Sequence, residues 1–290
     1  MENPILRSGG AVAEIALLGA EPLSWRVDGR ELIWHGDPAH WAGRAPILFP
    51  VVGASNEGQV RVNGQTYPMP QHGFARGSIF ALVGEGEDFA HFRLTDTPET
   101  RRHYPFEFQL DVTATLGAAT LTFDYLVFNP GTVPIPYALG FHPAFPWPFA
   151  AEGIAGHAVE FEVPEDPMVP SIVLPTGVLD PNRRPVPMEG NRLPLAPDLF
   201  AHGALIFLDV RSREMRFTAP SGAAIGLEAE DFPHLAVWTR PNAPFVSLEA
   251  WTGHADWSGF TGELSERNTM RVLAAGSSAR HRVTLRWHGA

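Results

Sequence analysis

Apolar and polar residues alternate with a period of two along much of the chain. Over residues 106–116 every second residue is apolar, from Phe106 to Leu116, and most of the residues between are polar. The alternation resumes over 121–127 after a short turn at Gly117. Because successive side chains of a strand point to opposite faces, this pattern predicts a long antiparallel hairpin with one buried face.

Two shorter hairpins are predicted near the amino terminus. Their turns are Asp28-Gly29 and Asn63-Gly64, dipeptides that readily adopt the positive φ angles of tight hairpin turns. The pattern predicts further strands at 204–210, 223–229, 234–239, 244–250 and 280–287. No amphipathic helix of more than about three turns is indicated. We therefore expect an all-β protein in which sheet packs on sheet.

Composition supports this reading and sets the expected domain organisation. The chain contains 28 Gly and 28 Pro residues, and charged residues make up only 18%, which favours a turn-rich β fold over helices. The segment Val163 to Pro197 is rich in proline and poor in periodicity. Since strand patterns resume on both sides of it, we interpret it as a long surface excursion within a single domain of residues 1–290.

Missing residue types exclude several kinds of chemistry. The chain has no Cys, and all 21 basic residues are Arg, so a thiolate nucleophile, a disulfide and a lysine Schiff base are excluded. A net charge of −11 argues against binding nucleic acid or anionic membranes. The amino terminus lacks a secretory signal, and prolines interrupt the most apolar stretch at 133–151. We expect a cytoplasmic protein without nucleic-acid or membrane partners.

Two histidines are candidates for chemistry. His72 lies in Gln-His-Gly-Phe-Ala-Arg, which ends at Arg76, and His142 lies between aromatic residues and before Pro143. Taken alone, either residue is more often a packed neutral histidine, and Arg76 is more often an exposed surface residue.

Glu249 is the candidate base. It lies in an apolar strand, and alternation places it on the same face as Ser247 and Trp251. A carboxylate in such surroundings has a raised pKa unless it is paired, which suits a general base, although a structural ion pair with an arginine fits equally well. Asp209 raises the same question in a weaker form. The chain contains no serine-hydrolase elbow, zinc-protease helix or calcium-binding loop.

Taken in order, these segments resemble the aldose 1-epimerase (galactose mutarotase-like) family, and most closely its LacX-like bacterial branch. The specific part is His-Gly-Phe-Ala-Arg at 72–76 followed by Gly-Phe-His-Pro at 140–143, and the likeness covers roughly residues 10–287. A departure is Glu-Ala-Trp at 249–251, where relatives typically have Glu-Pro-Trp. It affects backbone rigidity beside the glutamate and leaves the reacting group in place.

The resemblance implies a single-domain β-supersandwich with few short helices and an open cleft for a cyclic sugar. It further implies an isomerase that interconverts α and β anomers without metal or cofactor, with Glu249 as the base at the anomeric hydroxyl and His142 as the acid at the ring oxygen. The implied sugar-binding residues are His72, Arg44, Asp209, Arg76 and Trp238.

Other functions remain open from the sequence. A hexose-6-phosphate 1-epimerase would use Arg44 and Arg76 to bind phosphate. A non-catalytic sugar-binding protein, a metal site formed by His72, His142 and Glu249, and a glycoside hydrolase with Asp209 as second carboxylate are further alternatives. Either a monomer or a homodimer is compatible with the sequence.

Overall fold

The computed structural model describes residues 2–150 and 153–289, and nearly all of the regular structure in them is β-strand. In chain order the strands are β1 (Ile5–Ser8), β2 (Ala11–Ile15), β3 (Pro22–Val27), β4 (Arg30–Glu31), β5 (Ile47–Leu48), β6 (Gln59–Val62), β7 (Gln65–Pro68), β8 (Ala81–Glu85), β9 (Phe89–Thr95), β10 (Gln109–Leu116), β11 (Thr120–Phe128), β12 (Ile135–Tyr137), β13 (Gly140–Phe141), β14 (Ala144–Pro146), β15 (Ala158–Phe161), β16 (Met168–Val173), β17 (Val178–Pro185), β18 (Arg192–Pro194), β19 (Leu205–Phe207), β20 (Glu214–Thr218), β21 (Ala224–Glu230), β22 (His234–Trp238), β23 (Phe245–Trp251), β24 (Arg271–Leu273) and β25 (Ser278–His288). The helices within the described residues are short 3₁₀ turns at Asn56–Gly58, Ala75–Gly77, Thr100–Arg102, Pro197–Phe200 and Leu264–Glu266.

Two antiparallel sheets enclose the main core. The larger has nine strands in the order β18-β15-β20-β21-β25-β11-β10-β9-β8, and the smaller has the order β19-β22-β23-β13-β5, with β14 also paired to β23. Val112, Phe123 and Leu285 of the larger sheet belong to the same buried cluster as Phe141 and Leu248 of the smaller. The rings of Phe123 and Phe141 lie 4.8 Å apart across the two sheets. The predicted all-β sandwich is confirmed.

The predicted hairpins are present. β10 and β11 pair with Leu116 opposite Leu121, so the turn falls at the expected place. Asp28 and Asn63 adopt φ angles of 50° and 51°. The glycines that follow them, Gly29 and Gly64, have φ angles of 80° and 75°. These are the left-handed conformations that a two-residue hairpin turn requires.

The five strands predicted from alternation are present as β19, β21, β22, β23 and β25, with shifted ends. The largest shift is in β19, which ends at Phe207 rather than at residue 210. The chain leaves the extended conformation there because Asp209 adopts a φ of +52°.

The segment Val163 to Pro197 is more ordered than we expected from its composition. It contains the hairpin β16–β17 and the strand β18. A register shift between Pro170 and Ser171 breaks the period of two, which explains why alternation did not reveal the hairpin. Its tip reaches the cleft described below, so the excursion contains regular structure and borders the site.

No helix in the described part of the chain is long and apolar enough to cross a membrane. One domain over residues 1–290 stays a prediction.

Candidate active site

Strand β23 lies between the sandwich core and an open cleft. Val246, Leu248 and Ala250 point into the main core, and the alternating residues Ser247 and Glu249 point the other way. Every residue of the strand is buried. The alternation predicted for Glu249 is therefore confirmed, and the carboxyl group is positioned by a strand in which every residue is buried.

His142 lies between β13 and β14, directly opposite Glu249 of β23. β13 and β14 pair with β23 in one continuous register, with Phe141 opposite Ala250 and Ala144 opposite Ser247. His142 thus falls opposite Glu249, where cross-strand Cβ atoms are roughly 5 Å apart. Its Nε2 atom lies 3.2 Å from Oε1 of Glu249.

Small residues beside these side chains leave room for the cleft. Ala236 of β22 is opposite Glu249 on the other neighbouring strand, and Gly140 is opposite Trp251. A Cβ atom at Gly140 would lie 3.0 Å from Cδ1 of Leu48 and 3.1 Å from Cδ1 of Trp251. The glycine therefore allows the Trp251 ring to pack on the floor of the cleft.

Ser247 determines which nitrogen of His142 carries a fixed proton. The Ser247 hydroxyl donates to the carbonyl of Pro143 at 2.7 Å, and its Oγ lies 2.9 Å from Nδ1 of His142. Because its one proton is directed at the carbonyl, the hydroxyl can only accept a hydrogen bond from Nδ1–H. The lone pair of Nε2 is then directed at Glu249 whenever the imidazole is neutral.

Burial shifts the pKa values of this pair in opposite directions. Glu249 is 1% exposed, and burial raises the pKa of its carboxyl well above the usual value, although the Trp251 indole opposes this by donating to Oε2 at 3.0 Å. Burial lowers the pKa of His142 to about 3, with a further contribution from the charge of Arg76. Both shifts favour uncharged forms because a low dielectric penalises charge. Near neutral pH the pair therefore holds one proton between Nε2 and Oε1, carried mainly by the carboxyl.

His72 presents a hydrogen-bond donor to the same cleft. It has a φ of +67° in a turn where Gly73 passes against Phe49, and such strain in a non-glycine residue is typical of functional sites. The backbone N–H of Gly53 donates to Nδ1 of His72 at 3.1 Å. Burial, followed by the nearby His142 and Arg76, keeps the pKa of His72 well below its usual value. His72 is therefore neutral with its proton on Nε2.

Two tryptophans surround the imidazole of His142. The Trp41 ring centroid lies 5.0 Å from that of His142, and the Trp238 ring lies 5.2 Å from it in an edge-on arrangement. Both tryptophans line the cleft. Trp238 was expected from the sequence, whereas Trp41 was missed because it lies in a loop without periodicity.

The cleft has a volume of about 400 Å³, within the range of small-molecule sites. The tip of the β16–β17 hairpin forms an apolar edge through Leu174 and Pro175. Arg76 and Arg240 also line the cleft. Arg76 donates to the carbonyl of Gln71 at 2.9 Å, and Arg240 donates to that of His40 at 3.0 Å. Neither guanidinium forms an ion pair with a carboxylate among the described residues.

Two residues expected at the site lie elsewhere. The guanidinium of Arg44 donates to the carbonyl of Leu23, and Asp209 has a side chain that is 88% exposed. Neither lines the cleft. The backbone N–H of Asp209 instead donates a hydrogen bond to Nδ1 of His234 at 3.1 Å. Sugar binding by Arg44 or Asp209 stays a prediction that this arrangement does not favour.

Within residues 2–150 and 153–289, no three His, Asp or Glu side chains are arranged to hold a metal ion. In particular, His142 and Glu249 face each other directly, and Nδ1 of His72 is used by the backbone of Gly53. The alternative of a metal site built from these three residues gains no support from their geometry.

A two-sheet β-sandwich with an open cleft is the fold that this chain shares with galactose mutarotase-like proteins. The chain belongs to the aldose 1-epimerase family, whose model matches residues 5–286. It is 32% identical over 236 residues to protein LacX of Lactococcus lactis subsp. lactis, covering 78% of this chain and 79% of LacX. The predicted family and branch are confirmed.

Solved structures of similar proteins have the same fold. A galactose mutarotase-like protein from Lactobacillus casei is 32% identical with a TM-score of 0.92, covering 99% of this chain and all of that one. A galactose mutarotase related enzyme from Lactobacillus acidophilus is 27% identical with a TM-score of 0.91, covering 99% and 97% of the two chains. Both likenesses span the complete sandwich and the cleft.

Replacing Ser247 by Ala should release the tautomer of His142. Nδ1–H would lose its acceptor in a buried place, at a cost of about 1–3 kcal/mol, so the proton should redistribute to Nε2. Long-range ¹H–¹⁵N correlation of the imidazole would detect this as a change from one tautomer to a mixture. Ser212→Ala is the matched control, since Ser212 is equally buried and bonds to Glu165 far along the chain. A His142 signal that is unchanged in Ser247→Ala would contradict the assignment.

Proposed function

We propose that the protein interconverts the α and β anomers of an aldose by opening and reclosing the sugar ring, with Glu249 as base and His142 as acid. The observation that carries the proposal is the buried carboxyl–imidazole pair, 3.2 Å apart on the floor of a cleft of about 400 Å³. Family membership supports the same class of reaction.

The reaction needs one proton acceptor and one proton donor. Removal of the proton from the anomeric hydroxyl and protonation of the ring oxygen break the bond between C1 and that oxygen, leaving an aldehyde and a hydroxyl. Rotation about C1–C2 followed by the reverse transfers gives the other anomer. The sugar gains one proton and loses one, so the protein ends each half-reaction with the number it started with.

A pair that holds one proton suits this sequence. With closed sugar bound, Glu249 is ionised and His142 carries the proton on Nε2. Ring opening transfers a proton to Glu249 and removes one from His142, which yields the uncharged pair. The two half-reactions therefore alternate between two protonation isomers of the same pair, and the buried site never acquires net charge. Because burial favours the uncharged isomer, hydroxyls of the bound sugar would have to stabilise the charged one.

Neighbouring side chains support these roles. His72, neutral with its proton on Nε2, would donate a hydrogen bond at the ring-oxygen side and stabilise charge that develops there. Trp238 and Trp41 offer aromatic surface to the C–H groups of a sugar face. Trp251 would keep Oε2 of Glu249 occupied, which leaves Oε1 as the reacting atom.

Glu249→Gln should abolish catalysis while leaving the fold and sugar binding in place. Gln is nearly isosteric with the protonated carboxyl and can keep the contacts to His142 and Trp251, yet it accepts no proton. We expect a loss of about 10²–10⁴-fold in the catalysed rate, measured by polarimetry after subtraction of the spontaneous reaction. Glu160→Gln, on β15 of the other sheet, is the matched control.

The same variant should be at least as stable as the natural protein near pH 7. A carboxyl whose folded pKa is raised must take up a proton on folding above its unfolded pKa, and Gln removes that cost. Thermal unfolding thus separates lost chemistry from lost fold. Normal catalysed exchange in a folded Glu249→Gln protein, or in His142→Asn, would refute the corresponding role.

A phosphorylated aldose is a second candidate substrate. Arg76 and Arg240 line the cleft without a carboxylate partner among the described residues, and a guanidinium matches phosphate oxygens well. Of the two arginines expected to form such a clamp, Arg76 lines the cleft and Arg44 does not. Glu249 is the one carboxylate among the described residues lining the cleft, so a glycoside hydrolase lacks its second acid there.

Removing an arginine should discriminate between these substrates. If phosphate binds there, Arg76→Gln or Arg240→Gln should lower kcat/KM for a hexose 6-phosphate about 10–100-fold while affecting the free hexose little, because hydrogen bonds to charged groups are the stronger ones. Arg7→Gln changes net charge equally from an exposed position on β1 and should have no effect. Equal turnover of free and phosphorylated sugars by all variants would reject the phosphate candidate and retain the epimerase.

A further inference from the structure

A buried ion pair lies behind the wall of the cleft that carries His72. Nε of Arg267 and Oδ1 of Asp256 are 2.6 Å apart, and their side chains are only 4% and 6% exposed. Neither residue lines the cleft. Burying two charges seldom stabilises a protein more than apolar residues of the same size would. Stability alone therefore does not explain this pair, and its contacts indicate what else it does.

The pair holds one short segment of backbone. Nη2 of Arg267 and the backbone N–H of Asp256 both donate to the carbonyl of Ala54, at 3.1 and 2.9 Å. Oδ2 of Asp256 accepts from the backbone N–H of Asn56 at 2.8 Å. Both charged side chains therefore hold residues 54–56.

The residue before this segment is the one that orients His72. Gly53 donates its N–H to Nδ1 of His72 and accepts the backbone N–H of His72 at 2.9 Å. A Cβ atom at Gly53 would lie 2.5 Å from that of Ala255, so Gly53 is confined between His72 and the residue adjoining Asp256. A shift of Ala54 would therefore move the Gly53 N–H away from the imidazole.

We propose that Arg267 and Asp256 are positioning residues for His72. They hold Gly53 against Nδ1, so that the imidazole of His72 keeps its proton on Nε2 and presents it to the cleft. The structural part of this inference concerns the tautomer of His72 alone, and its catalytic consequence rests on the proposed function.

The test replaces both charges by apolar residues. In Asp256→Leu combined with Arg267→Met no charge is left unpaired, so the fold should persist, but the carbonyl of Ala54 loses the guanidinium. We expect long-range ¹H–¹⁵N correlation to show His72 changing from pure Nε2–H to a mixture of tautomers. The catalysed rate should fall about ten-fold, mainly in kcat, by analogy with residues that orient metal-bound histidines. The single variant Arg267→Lys keeps the charge opposite Asp256. Its fraction of Nε2–H tautomer and its catalysed rate should both lie between those of the double variant and those of the natural protein.

Controls keep the outcomes distinct. The equivalent double replacement of Asp111 by Leu and Arg93 by Met removes another ion pair, in the nine-stranded sheet, and should leave His72 unchanged. A folded double variant in which His72 stays purely Nε2–H would overturn the inference. If the double variant does not fold, Arg267→Lys decides by the tautomer of His72: a mixture supports the inference, and pure Nε2–H overturns it. Absence of catalysed exchange in the natural protein would refute the proposed function, while the tautomer readout would still test the positioning.

Discussion

The site depends on a carboxyl group and an imidazole that face each other on the floor of the cleft, both almost completely buried. In bulk water Glu249 and His142 would both be charged over a narrow range of mildly acidic pH. Burial penalises charge on each, and their 3.2 Å separation lets a single proton satisfy both. Adding a second proton or removing the first would leave an uncompensated charge in an apolar place. The pair is therefore held as a one-proton unit.

The sandwich makes this arrangement rigid. β23 is packed on one face by the core shared with the nine-stranded sheet, so the position of Glu249 on the other face is hardly adjustable. Small residues at 140 and 236 keep space above the pair, and Ser247 and Trp251 contact Nδ1 of His142 and Oε2 of Glu249, the atoms that do not face the partner side chain. The same logic extends outward to His72, whose orientation is set by backbone that a buried ion pair clamps. Few polar contacts in the site are free to exchange partners.

Local chemistry made part of this predictable from the sequence. Asp28-Gly29 and Asn63-Gly64 specify their turns by backbone preference alone, and the period of two placed Glu249 on one face with Ser247 and Trp251. Both kinds of signal are contained in a few neighbouring residues. Specific motifs at 72–76 and 140–143 identified the family and hence the sandwich.

What could not be predicted depends on residues that are distant in sequence. The register that sets His142 opposite Glu249 joins strands separated by about a hundred residues, and no local pattern specifies it. Arg240 reaches the cleft and Arg44 does not, because loop paths decide where a long side chain ends. The β16–β17 hairpin escaped detection since its bulge at Pro170 breaks the alternation.

The pH dependence of kcat/KM for anomer exchange, measured by two-dimensional exchange NMR on a ¹³C-labelled aldose, tests the central claim most directly. Below the pKa of His142, about 3, the pair gains a second proton and no base remains. Above the raised pKa of Glu249, the pair loses its proton and no acid remains. We therefore expect catalysis to persist as the pH falls through about 4.3, the ordinary pKa of a glutamate, and to be lost only near the lowered pKa of His142, in protein shown to be folded by circular dichroism. An acid limb at that ordinary value or above it, or no catalysed exchange at any pH, would contradict the account.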